Sequence, residues 1–162
     1  RMFAPDLIDM VPRGYSFGQR DGIYEISDDF IAGTLICFEI AEDGILRELT
    51  EGGAELILSQ TNNADFGYSD ETFQQAGIAR LRAIETGRTV VNISTVGLSA
   101  IYLPSGEILS EAEWYTPTAM VEEVPLYTGL TPAIFVGKYF DIVNALVVLG
   151  LIALGFTRKR PR

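Results

Sequence analysis

Three short apolar runs, at residues 31–37, 55–59 and 89–94, alternate with stretches in which apolar residues recur at helical spacing, and this alternation leaves few folds open. Residues 31–37 read Ile-Ala-Gly-Thr-Leu-Ile-Cys, as expected for a strand buried on both faces, with Cys37 at its C-terminal end. Ile45, Leu46 and Leu49 then predict a helix that Gly52 and Gly53 end. Residues 60–68, rich in Asn and Gly, predict a loop, and Ser69-Asp70-Glu71 a helix start. Phe73, Ala76, Ala83 and Ile84 give that helix an apolar side, and Gly87 stops it. Residues 89–94 and 99–103 are rich in β-formers, and Pro104-Ser105-Gly106 turns the chain into 107–109 as a hairpin. Further strands are expected at 23–26 and around 119–124, after an irregular lead-in over residues 1–22. Strand, helix, strand, helix and hairpins predict a layered α/β sandwich.

The C-terminal part is different in kind. Residues 139–156 form an apolar stretch just long enough to cross the hydrocarbon layer, with Asp141 near its outer edge. All 22 acidic residues lie at or before Asp141, whereas Arg158, Lys159, Arg160 and Arg162 crowd the last five positions. A basic cluster directly after an apolar stretch is the positive-inside pattern, which predicts a cytoplasmic tail and an extracytoplasmic domain. The other reading is a buried core helix ending in a solvated charge run. With 48% hydrophobic residues in 162, one globular unit is expected. The division is therefore residues 1–132 as a domain, 133–157 as linker and transmembrane helix, and 158–162 as a basic tail.

Composition narrows the chemistry. A net charge of −10 with no basic cluster in the domain argues against a nucleic-acid partner. The chain has no histidine and one cysteine, which removes Ser-His-Asp and Cys-His catalysis, disulfides within the chain and multi-cysteine metal sites. Neither a metal nor a cofactor is expected. Cys37 itself has two readings. It is an inert core thiol, the commoner fate of a free cysteine, or a nucleophile presented at the sheet edge where α/β proteins bind ligands. In the second case the backbone amide of Phe38 is placed to hold the oxyanion.

The segment Leu35-Ile36-Cys37-Phe38-Glu39-Ile40 resembles the cysteine segment of the nitrilase superfamily in its Cys-aromatic-Glu form, the form of apolipoprotein N-acyltransferases. The resemblance continues in order. Thr61-Asn62-Asn63-Ala64-Asp65-Phe66-Gly67 is similar to the family's Asn-Asp-Ala-Trp-Phe-Gly loop. Gln74-Gln75, Ala79-Arg80-Leu81-Arg82-Ala83-Ile84-Glu85 and Gly87-Arg88 resemble its following helix. Ser94-Thr95-Val96-Gly97-Leu98-Ser99 resembles the next strand turn, Pro104-Ser105-Gly106 its hairpin, and Thr128-Gly129-Leu130-Thr131-Pro132 the approach to a final membrane span.

The resemblance implies the C-terminal half of an αββα nitrilase-like sandwich, followed by one transmembrane helix, on the outer face of the bacterial cytoplasmic membrane. It implies a phospholipid acyl donor, a thioester on Cys37, and a diacylglyceryl-cysteine lipoprotein as acceptor. Cys37 is then the nucleophile and Glu39 a supporting carboxylate. Asn62 and Asn63 either bind substrate or support unusual backbone angles in their loop. Arg80, Arg82, Glu85 and Arg88 are expected to form ion pairs that fix architecture. Trp114, Tyr115 and Tyr127 are expected in the core, with the lipid interface as the other reading.

A nitrilase-type site also needs a Glu base and a Lys. The lysines are Lys138 and Lys159 alone, neither of them near Cys37 in sequence. Both catalytic groups are therefore expected to lie before Arg1, and this fragment alone is expected to be inactive. Two other functions stand beside this one: a soluble carbon-nitrogen hydrolase with 139–157 as core, and a non-catalytic membrane-anchored module.

Overall fold

The computed structural model describes residue 18, residues 21–27 and residues 30–157, with the side chains at 138, 141, 156 and 157 excepted. Most of the expected irregular lead-in and the basic tail lie outside the described residues. Six strands form one mixed sheet in sequential order. They are β1 (Ile23–Ser27), β2 (Phe30–Ile36), β3 (Leu56–Thr61), β4 (Thr89–Ser94), β5 (Ser99–Tyr102) and β6 (Ile108–Ala112). The central strands β2, β3 and β4 are parallel, and antiparallel pairs flank them.

The parallel strands need crossovers, and two helices supply them. Helix α1 (Asp43–Glu51) links β2 to β3, and α2 (Glu71–Thr86) links β3 to β4. Both cover one face of the sheet, where Leu35, Ile57, Val90 and Tyr102 meet Leu46, Leu49, Ala79 and Ala83 in one buried core. Small residues at 76, 79 and 83 let α2 approach closely, while Phe73 and Ile84, expected on its apolar side, are 44% and 49% exposed. Helix α2 ends as expected at Gly87, whose φ of 66° is the left-handed cap conformation that glycine adopts without strain.

The other face of the sheet carries Thr34, Leu58, Val91 and Ile101 by the alternation of side chains along paired strands. No strand forms at 119–124. Residues 113–131 instead run without regular structure, tied to the sheet edge by the Tyr115 amide on Val96 O (2.8 Å) and by Thr89 Oγ1 on Pro125 O (3.1 Å). Ile26, Ile36 and Ile93 remain exposed. The observed arrangement is therefore a sheet with helices on one side.

The last helix, α3, begins at Pro132 and runs to Thr157. The expected transmembrane span is not borne out: among the described residues no helix is long and apolar enough to cross a membrane. Lys138 and Asp141 fall within its first three turns. The stretch after them, residues 142–157, measures about 24 Å at the helical rise, against roughly 30 Å of hydrocarbon.

Candidate active site

The C-terminal ends of the three parallel strands bring residues 37, 61–63 and 94–97 to one edge of the sheet. At that edge β2 stops at Ile36 and the chain turns at once into a 3₁₀ segment, Cys37–Ala41. Cys37 takes a φ of 53°, the left-handed region that a side-chain-bearing residue rarely occupies. Such strain persists only where surrounding structure holds it, and strand-to-turn nucleophile elbows have this form. Cys37 is partly exposed and is not among the buried core residues.

Cys37 lines a groove of about 420 Å³ with Phe38, Ile40, Phe66, Gln74 and Ile78. Most of these side chains are apolar, so the groove suits a hydrocarbon better than a polar substrate. Phe38 is 70% exposed beside it. Glu39 turns away. Its Oε2 accepts the Ile36 amide at 2.7 Å, and it lines a different cavity with Thr34, Ile36 and Glu48. The structure thus ties Glu39 to the entrance of the turn that Cys37 begins.

Asn62 and Asn63 lie at the same edge but do not line the Cys37 groove. Asn62 Oδ1 accepts from Thr95 Oγ1 (2.8 Å) and the Ala64 amide (3.2 Å), joining the loops after β3 and β4. Asn63 is 2% exposed and fully engaged. Its Oδ1 accepts from Thr61 Oγ1 (2.7 Å), and its Nδ2 donates to Thr72 Oγ1 (2.9 Å), which also accepts the Leu98 amide (3.1 Å). The two asparagines therefore brace the loops through their side chains, and neither has the positive φ that the backbone-support reading invokes.

The arginines divide the architectural work. Arg82 pairs with Glu85, as its spacing predicts, and also with Asp43. Burial opposes charge on Arg82, but the hydrogen bonds it donates to Glu85 and Asp43, with their negative charge, outweigh it and hold the guanidinium above the usual arginine range. Arg88 forms hydrogen bonds to carbonyls instead: Ala54 O (2.6 Å), Gly129 O (2.7 Å) and Thr86 O (3.3 Å). Burial lowers its pKa, with Glu55 acting the other way. Arg80 donates to Gly106 O.

Sequence reasoning missed the groove and the reach of Arg82. The alanines at 76, 79 and 83 were the available signal, because they mark the buried face of α2 beside which Arg82 falls. Trp114, Tyr115 and Tyr127 are not in the buried core where they were expected: Trp114 is half-buried, and Tyr115 and Tyr127 are exposed. With Tyr68 and Phe73, Trp114 and Tyr115 form a surface cluster, in which Tyr68 and Tyr115 stack at 4.3 Å between ring centroids. Among the described residues no group of three or more His, Cys, Asp or Glu is placed to hold a metal ion.

Residues 10–129 match the family model described as carbon-nitrogen hydrolase. The chain is similar to proteins named apolipoprotein N-acyltransferase. It is 36% identical over 124 residues to that of Mycolicibacterium smegmatis, covering 75% of this chain and 20% of the relative. It is 37% identical over 119 residues to that of Gloeobacter violaceus, covering 73% and 23%. For Shewanella oneidensis the identity is 32% over 128 residues, covering 78% and 24%. The chain thus spans a fifth to a quarter of these relatives' length. A variant of the amidase from Nesterenkonia sp. AN1 has the same fold, with a TM-score of 0.51 and 22% identity over 62% of this chain and 40% of that one. On the family match across most of its length, the chain belongs to the carbon-nitrogen hydrolase family.

Proposed function

We propose that this chain carries the nucleophile of an apolipoprotein N-acyltransferase. Cys37 takes a fatty acyl group from a phospholipid as a thioester and passes it to the N-terminal amine of diacylglyceryl-cysteine in a lipoprotein. The observation that carries this reading is a cysteine on a left-handed elbow that lines a largely apolar groove. Similarity to proteins named for this activity supports it.

In the first half-reaction Cys37 Sγ attacks the ester carbonyl carbon, the carbon–oxygen bond to glycerol breaks, and the lysophospholipid leaves with a proton. In the second, the acceptor amine attacks the thioester, the carbon–sulfur bond breaks, and the amine gives up a proton as the thiolate is restored. The Phe38 amide donates to the oxyanion in both steps. Glu39 supports the reaction by fixing the turn, and Asn62 and Asn63 by holding the substrate-side loops. A thiol also needs a base and a stabilising cation to attack an ester. The reading therefore requires a Glu and a Lys from outside these 162 residues, and the chain by itself is inactive.

The location proposed is the bacterial cytoplasmic membrane, with the sheet domain on the extracytoplasmic face. Phe135, Leu146, Leu149, Leu151 and Leu154 of α3 are each at least 61% exposed. A helix apolar on every side is stable only when protein or lipid covers it, and lipid is the cover proposed here. The helix-free face of the sheet supports a second αβ layer, completing an αββα sandwich.

Incubating the whole protein in detergent with phospholipid and a diacylglyceryl-cysteine peptide should yield triacylated peptide and lysophospholipid in equal amounts. Release of free fatty acid with no triacylated peptide would replace transfer by hydrolysis.

A further inference from the structure

We propose that Arg82 is a positioning residue for the Cys37 elbow, an inference that rests on Cys37 being the nucleophile. Its Nε donates to Ile40 O at 2.9 Å and its Nη2 to Ala41 O at 2.7 Å. These are the last two residues of the turn that Cys37 begins, where carbonyls lack helical partners. The guanidinium reaches them from 42 residues along the chain, and its own orientation is set by Glu85 on Nη1 and Asp43 on Nη2. At the other end of the same turn Glu39 holds the Ile36 amide. The left-handed backbone at Cys37 lies between these two grips.

A residue in that conformation relaxes when its turn is released, and a shift of the sulfur relative to the oxyanion donor slows attack on a carbonyl. Only a planar fork can hold two carbonyls and two carboxylates together. A lysine at this position keeps the charge and loses the geometry.

The test compares two reactions of Cys37 in the whole protein: acylation by a short p-nitrophenyl ester and alkylation by iodoacetamide. Acylation requires the sulfur and the oxyanion donor to be aligned, whereas alkylation requires only an accessible thiolate. Arg82→Lys should slow acylation about tenfold to a hundredfold while alkylation stays within about twofold of wild type. Asp43→Ala, at the exposed rim of the clamp, should shift the ratio in the same direction by less, and it serves if Arg82→Lys does not fold. An unchanged ratio in either folded variant, or a parallel fall of both rates, overturns the positioning role. A wild-type protein that alkylates normally but forms no acyl-enzyme removes instead the nucleophile reading on which this one rests.

Discussion

Cys37 occupies a backbone region that costs a side-chain-bearing residue roughly 1–3 kcal/mol, and glycine much less. That cost sits in the turn whether or not the thiol reacts, so it is measurable as stability. Cys37→Gly should be more stable to urea than Cys37→Ala by about 1 kcal/mol, although neither can form a thioester. Equal midpoints would mean that the elbow carries no strain. Glu39 acts on the same turn through one hydrogen bond to the Ile36 amide. Glu39→Gln keeps an acceptor and should retain most acyl transfer. Glu39→Ala should slow transfer and lower stability by about 1 kcal/mol, as read by thermal unfolding. If the glutamine variant is as impaired as the alanine variant, the charge of Glu39 matters and a purely supporting role is wrong. The presence of Cys37 at a strand end was legible in the apolar run before it. Its left-handed backbone was not, because the turn is held by Arg82 from a distant helix.

Helix α2 joins the other elements, meeting the Cys37 turn through Arg82, the β5–β6 hairpin through Arg80 and the β3 loop through Thr72. The Thr72 junction is closed by Gly97. A Cβ there would fall inside contact distance of Thr72 Oγ1, Asn63 Nδ2 and Ser94 Oγ, all three engaged in hydrogen bonds. Gly97→Ala should therefore destabilise the fold by about 1–3 kcal/mol in urea unfolding, since these short side chains have little room to move. A change within about 0.5 kcal/mol would show that the loops are looser than drawn. Periodicity located β2, β3, β4, α1 and α2, because each buries an apolar face that its spacing displays. It failed at 119–124, where the chain is anchored by isolated contacts such as Thr89 to Pro125 O. It also placed Phe73 and Ile84 inside, although the core takes the alanines of α2 and leaves the larger side chains out.

At the scale of the molecule two apolar surfaces lack protein cover among the described residues: part of the sheet face opposite the helices, and nearly all of α3. Among the described side chains of α3 only Ile134 is buried, near the point where Thr131 and Arg88 fasten the chain to the end of α2. The account assigns the first surface to a second αβ layer and the second to lipid. A chain ending at residue 141 should lose its association with phospholipid vesicles in flotation while keeping its thermal transition. Retained flotation would move membrane attachment elsewhere. The α/β class was legible from the sequence as a whole, but the start of α3 at Pro132 was not, since the apolar stretch at 139–156 hides the turns before it. The central claim is the acyl thioester on Cys37. The most direct test is the intact mass of the whole protein in detergent after mixing with phospholipid, wild type beside Cys37→Ala. The account predicts an acyl-sized gain, removed by hydroxylamine, in the wild type only. A folded wild type that gains no mass, or a gain that survives Cys37→Ala, would contradict it.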